Sequence, residues 1–260
     1  MSIVIVGDRA VGKTSTLLAL ANPSERQYVQ VIDPNYENLS ENYINPETGD
    51  TPPTRAVEQL PLLINVDLPG GQKQIRAVWM DTPGEYWENK DWQTQNPSAW
   101  RGIKETLNQN LGVILLLPPH RDMVQPSLLN SVDITTSINK DDLMTPTAWV
   151  NRLAKWLDLF NQDCSQVEHL IICLHKADLF CSNIALTGKQ FQYKPGGGTP
   201  FYQFNKNVRE MYFTAAEKVI HNYHSRGGKP IQFFVTSTKS RSLLELPWLY
   251  LSPYILYSSR

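Results

Sequence analysis

Cysteine is scarce in this 260-residue sequence: the three present, Cys164, Cys173 and Cys181, are odd in number and form no C-x-x-C pair. That spacing points to neither a disulfide framework nor a zinc site, and a reducing cytoplasmic compartment is expected. No run of Lys or Arg is long enough to track a phosphodiester backbone, and the formal net charge is only -1, so nucleic acid is not an expected partner. No segment approaches the roughly 20 apolar residues that span a bilayer. "SIVIV" near the N-terminus is too short for a signal-peptide core, lacks a basic lead and runs directly into a glycine loop. Position 2 lacks the glycine needed for myristoylation and the final "YSSR" lacks a prenylatable cysteine, so no direct membrane anchor is expected. Internal repeats and coiled-coil heptads are missing as well.

What is present is ordinary globular composition, 41% hydrophobic and 19% charged, with enough apolar residues for a sizeable core. Short apolar runs at 2–6, 111–117, 169–174 and 231–236 alternate with amphipathic stretches, the pattern of buried, mostly parallel strands covered on both faces by helices. Runs at 56–67 and 73–80 flank "PGGQ", whose paired glycines suit an antiparallel hairpin. Helices are expected at 14–21, 98–110, 146–162 and 202–224. The third has Thr145 to cap it, Pro146 in its first turn, and Trp149, Leu153, Trp156, Leu157 and Phe160 on one face. Polar stretches at 22–55, 118–145 and 182–200 read as long functional or mobile loops. Near the C-terminus, Pro247 and Pro253 are expected to break "LLELPWLYLSPYILY" into short pieces. The expected architecture is one α/β domain over 1–260: a three-layer sandwich around a six-stranded, mostly parallel sheet with one antiparallel hairpin strand.

The stretch "VGDRAVGKTST" satisfies G-x-x-x-x-G-K-T between a buried strand and an apolar-periodic helix. Its residues Gly7, Asp8, Arg9, Ala10, Val11, Gly12, Lys13, Thr14 and Ser15 are the candidate phosphate-binding loop. The glycines permit backbone angles that turn successive N–H groups toward a di- or triphosphate, aided by the positive end of the helix dipole. Lys13 is expected to reach the β and γ phosphates, and Thr14 to place its hydroxyl on Mg²⁺. After the hairpin comes "MDTPGEYW", which puts Asp81 where a carboxylate can hold the magnesium's outer shell and Gly84 where an N–H can meet a γ phosphate.

With "LHKAD" after the fourth buried strand and "VTSTKS" after the last, the sequence resembles the Ras-like GTPases of the translation-factor-related class. The four motifs stand in that family's order between about Val4 and Lys239. The resemblance implies a GTP/GDP and Mg²⁺ site in which Asp178 accepts from the guanine N1 and N2 positions and Lys176 lies along the base. Ser237, Thr238 and Lys239 form the loop near O6. It also implies a first-switch threonine that covers the γ phosphate and ligates Mg²⁺; "TPPTRAVEQL" offers Thr51 and Thr54, and Thr54, just ahead of the hairpin, is favoured. A GTPase acting as a molecular switch is the expected function, with an effector or regulatory partner at the switch regions, where the large aromatics of "YWENKDW" either meet that partner or cover the adjacent helix.

Three positions depart from the family. His175 replaces the usual asparagine or threonine, and is either a structural histidine filling that space or a nucleotide contact. Glu85 stands where relatives carry the glutamine that orients the attacking water; a carboxylate there is repelled by phosphate and cannot donate, so slow intrinsic hydrolysis is expected. The resemblance implies that Arg9 stands beside the γ phosphate, and it has three readings: a solvated or ion-paired side chain, a block to an incoming arginine finger, or a group that itself neutralises transition-state charge. The catalytic candidates are thus Glu85, Arg9, Thr54 and Gly84. Should hydrolysis be negligible, the alternative is a GTP-binding adaptor or scaffold.

Overall fold

The protein was analysed as a computed structural model that describes residues 2–8, 11–49, 51, 58–82, 87, 90–129, 143–164, 166–190, 193–194 and 200–258. Its strands are β1 (Ile3–Gly7), β2 (Val29–Asp33), β3 (Glu58–Leu68), β4 (Gly71–Asp81), β5 (Gly112–Leu117), β6 (His169–Leu174) and β7 (Ile231–Val235). They form one sheet in the order β2-β3-β4-β1-β5-β6-β7. From β4 to β7 every pairing is parallel, while β3 is antiparallel to both neighbours, so β3 alone runs against the rest. Strands β1 and β5 are buried along their whole length, as unbroken apolar runs must be when helices cover both faces.

The helices are α1 (Lys13–Ala21), α2 (Tyr36–Tyr43), α3 (Lys90–Gln95), α4 (Pro97–Asn108), α5 (Pro126–Leu129), α6 (Pro146–Asp163), α7 (Ile184–Gln190), α8 (Phe201–Tyr212), α9 (Glu217–Ser225) and α10 (Arg241–Ser258). As the sequence implies, α6 opens with the Thr145 hydroxyl accepting from Ala148 N–H and with Pro146 in its first turn. Its face of Trp149, Leu153, Trp156, Leu157 and Phe160 is buried. No helix among the described residues is long and apolar enough to cross a membrane.

Four expectations need correction. The sheet has seven strands rather than six, because β2 lies inside the stretch read as a loop; in "VQVID" only Val29 and Val31 are buried, too little periodicity to announce an edge strand. The same stretch holds α2, and 182–190 holds α7. The long helix expected at 202–224 is two, because Phe213 leaves helical geometry and a 3₁₀ turn follows at Thr214–Ala216. Phe213 is fully buried there, against Trp149 and Phe233, and that packing outweighs the continuity of the helix. Finally, α10 runs unbroken through Pro247 and Pro253. Each proline costs about 3 kcal/mol in a helix interior. Burial of Leu243, Leu244, Leu246, Trp248, Leu249, Leu251 and Ile255, at roughly 1.5–3 kcal/mol per large side chain, offsets that.

Candidate functional site

Since β4, β1, β5, β6 and β7 run parallel, their carboxyl ends share one edge of the sheet, and that edge collects the sequence motifs. Gly7 ends β1 so close to β5 that a Cβ on it would lie 2.7 Å from the Leu116 carbonyl oxygen. Gly12 has φ 97°, left-handed backbone that glycine accepts without strain, and leads straight into α1. Having no side chain, Gly12 cannot cap α1, which leaves first-turn N–H groups facing the loop as an anion site. The buried Lys13 side chain folds back, its Nζ donating to the carbonyls of Gly7 (3.1 Å) and Asp8 (3.2 Å) and standing 3.3 Å from Asp81 Oδ1. From the end of β4, Asp81 also accepts from the Thr14 hydroxyl through Oδ2 (3.4 Å). The loop has the backbone path and the lysine placement that a phosphate loop requires.

Thr14 and Asp81 suit a hard divalent cation: a hydroxyl and a carboxylate, adjacent, beside a helix start with uncapped N–H groups. Val11 is buried beneath the loop, and Ser15 is exposed in the first turn of α1.

Asp8 has a second connection. Its buried carboxylate faces α6, where Oδ1 accepts from Arg152 Nε at 2.7 Å and from Trp156 Nε1 at 2.9 Å. Arg152 is itself buried, with its guanidinium 5.6 Å from the Trp156 ring centroid. The Trp156 ring meets Trp87 at 4.4 Å, and Trp87 Nε1 donates to the hydroxyl of Thr82, the residue after Asp81, at 2.7 Å. The sequence offered one signal of this arrangement: at 149, 152, 153 and 156, a cation stands inside an apolar helical stripe. Of the two readings of these rings, cover for a neighbouring helix and contact with a partner, Trp87 takes the first: it is buried among Trp156 and Trp100.

Beyond β6, His175 is buried with both ring nitrogens in use: Nε2 is hydrogen-bonded to the Thr16 hydroxyl of α1 (3.2 Å) and Nδ1 to the Thr236 hydroxyl beyond β7 (2.9 Å). It therefore ties the phosphate helix to the last loop, and a Cβ on Gly12 would touch its ring at 3.4 Å. Burial, with the neighbouring Lys176 cation, lowers its pKa to about 4, so the ring is neutral. Lys176 adopts left-handed backbone (φ 60°), and its Cε is 3.9 Å from that same Gly12 position. Burial lowers the Lys176 pKa, and Asp178 opposes the shift.

Asp178 takes a hydrogen bond from the Ser237 hydroxyl and an ion pair from Lys239 Nζ (3.1 Å). Burial pushes the Asp178 carboxyl up, but those donors outweigh it and leave the group below the usual carboxylate range. Ser237 is fully buried and also receives Lys239 N–H (3.1 Å); Thr238 lies between them in the turn closed by Ser240 N–H on Ser237 O (3.1 Å). Thr51 is exposed. Arg9, Ala10, Thr54, Gly84 and Glu85 lie outside the described residues.

No family model matches the chain, and no curated protein does. Among solved structures, a nucleolar GTP-binding protein 1 from Plasmodium falciparum aligns over 99% of this chain and 87% of its own, at 13% identity and TM-score 0.46. A bacterial selenocysteine-specific elongation factor, EF-Sec, aligns over 99% of this chain but 29% of its own, at 11% identity and TM-score 0.39. At such values the reading of the site rests on its own geometry.

Proposed function

We propose that this protein binds GTP and GDP with Mg²⁺ and acts as a molecular switch, hydrolysing GTP slowly and engaging a regulatory or effector partner through its switch regions. One observation carries the reading: Lys13, Thr14 and Asp81 stand at the same sheet edge as Asp178, Ser237 and Lys239, joined across Gly12 by His175 and Lys176. A phosphate tail and a purine need that distance bridged by one continuous cleft. The first-turn amides of α1 and Lys13 would hold the phosphates, and Thr14, Asp81 and Thr54 the magnesium, which offsets phosphate charge. Asp178, held ionised, is an acceptor for the paired donors on the Watson–Crick edge of guanine; adenine offers no such pair. To bind the base, Asp178 must exchange the Ser237 and Lys239 donors seen here, at least in part.

Thermal melting with GDP, GTP, ADP or ATP plus Mg²⁺ tests the reading, because a ligand that binds only the native form raises stability by RT ln(1 + [L]/Kd). Guanine nucleotides are expected to raise the midpoint and adenine nucleotides to leave it unchanged; the reverse pattern overturns the base assignment. Lys13→Met is expected to abolish the shift. The sequence positions of Glu85 and Arg9 support a second reading, an adaptor that uses GTP as a structural ligand. Single-turnover phosphate release, with and without cell extract, separates the two: release that extract accelerates marks a switch, and no release in either arm marks the adaptor.

A further inference from the structure

We propose that Arg152 and Trp156 are positioning residues for the phosphate loop: from α6 they hold the Asp8 carboxylate, and so fix the main-chain carbonyl that Lys13 grips. The proposal rests on the nucleotide-binding reading above. Asp8 is held twice, by its side chain to α6 and by its carbonyl to Lys13 Nζ. Trp156 then continues through Trp87 and Thr82 to Asp81, which holds Lys13 and Thr14. The contacts close a ring in which each end of the phosphate site is braced against the same tryptophan. None of the four sequence motifs includes α6.

A buried ion pair is a poor device for stability alone, since desolvation of both charges cancels much of their attraction and an apolar pair of similar size does as well or better. What the pair adds is direction. An aspartate whose Oδ1 is held by two donors one helical turn apart has its side chain pinned to α6, which restrains the adjoining main chain and with it the carbonyl that Lys13 holds.

The test compares wild type with the double variant Asp8→Asn/Arg152→Met and with Trp156→Phe, using the full chain. The double variant removes both charges together, so neither is left buried and alone; Trp156→Phe removes one donor and keeps the ring. Affinities for GDP, GTP and ADP are measured by calorimetry, and stability without nucleotide by urea unfolding. Losing a charge-assisted contact at this place is expected to weaken GDP and GTP about tenfold or more in the double variant and less in Trp156→Phe. The unfolding midpoint without nucleotide should stay near wild type, and the preference for GDP over ADP should be kept. Wild-type affinity in both variants overturns this proposal while the nucleotide-binding reading stands. A fall in affinity matched by an equal fall in nucleotide-free stability also overturns it, by making the cluster structural. If wild type itself binds no guanine nucleotide, the nucleotide-binding reading fails and takes this one with it.

Discussion

Among the described residues two arginine–carboxylate pairs are buried, and they face different tasks. Asp8 and Arg152 join the phosphate loop to α6, and the partners named for the Asp8 carboxylate are side chains. Arg241 and Glu245, one turn apart at the start of α10, pair at 2.5 Å just beyond the "VTSTKS" loop and spend their remaining capacity on backbone. Arg241 donates to the carbonyls of Ala19, Leu20 and Val29, and Glu245 accepts from the amides of Gln27 (3.2 Å) and Tyr28 (2.8 Å). Ala19 and Leu20 lie in the last turn of α1, whose carbonyls have no intrahelical partner. The same pairing of an arginine with a carboxylate thus sets the direction of one side chain at the site and, under α10, closes the end of a helix and the start of an edge strand.

Removing both charges at once separates these tasks most sharply. Arg241→Met/Glu245→Met is expected to lose at least about 5 kcal/mol, or not to fold, because buried backbone groups left without partners cost roughly 1–3 kcal/mol each. Asp8→Asn/Arg152→Met should stay near wild-type stability. Urea unfolding of both double variants without nucleotide checks this, and an α10 variant as stable as wild type would remove the distinction.

His175 belongs with the site rather than with the stitch under α10, and its titration sharpens the contrast. Burial and Lys176 hold its folded pKa at about 4, below the ordinary 6.5, so between those values the unfolded chain binds one proton more than the native one. Native stability therefore rises with pH across this window: the contribution is complete above about 6.5 and is lost as pH falls toward 4. At about 1.4 kcal/mol per pH unit the loss amounts to about 3 kcal/mol. Burial also holds His120, His169 and His224 down, so the quantity to measure is the difference between wild type and His175→Asn across the window. Identical slopes for the two proteins would mean that His175 does not carry it.

Those parts of the molecule also differ in how far the sequence announced them. The parallel strands were legible because full burial leaves uninterrupted apolar runs, and the hairpin because "PGGQ" separates two such runs. The backbone path of the glycine loop before α1 was legible because the spacing of Gly7, Gly12 and Lys13 encodes it. By contrast, the partners of Asp8, His175 and Glu245 lie 144, 159 and 218 positions away in the chain, where no local spacing can reveal them. Pro247 and Pro253 misled for a related reason: local backbone cost was visible, and the compensating burial was tertiary. For Trp87 helix cover and a partner contact both stayed open, since nothing local says that its Nε1 finds Thr82. Trp87→Phe is expected to cost about 1 kcal/mol in the urea midpoint, the worth of one neutral hydrogen bond with the ring largely kept. A change of several kcal/mol would show that the ring's shape, rather than that bond, holds the segment after β4.

The smallest effect is expected on the same helix that carries Arg152. Two turns along, Asp158 accepts from Arg226, the residue that follows α9, at 2.5 Å, a contact as short as any at the site. Distance alone would make it equivalent to Asp8–Arg152. The difference is solvent: the Arg226 and Asp158 side chains are 51% and 44% exposed, against 4% and 5% for Arg152 and Asp8. Water screens the first pair and rehydrates whichever partner remains when the other is removed, so Asp158→Ala is expected to cost less than about 1 kcal/mol and to cost less still at high salt. Asp8→Ala leaves a buried guanidinium with no water to take the carboxylate's place, and about 3–5 kcal/mol is expected. Equal losses for the two alanine variants, at any salt concentration, would mean that burial is not what separates a positioning contact from a surface one on α6.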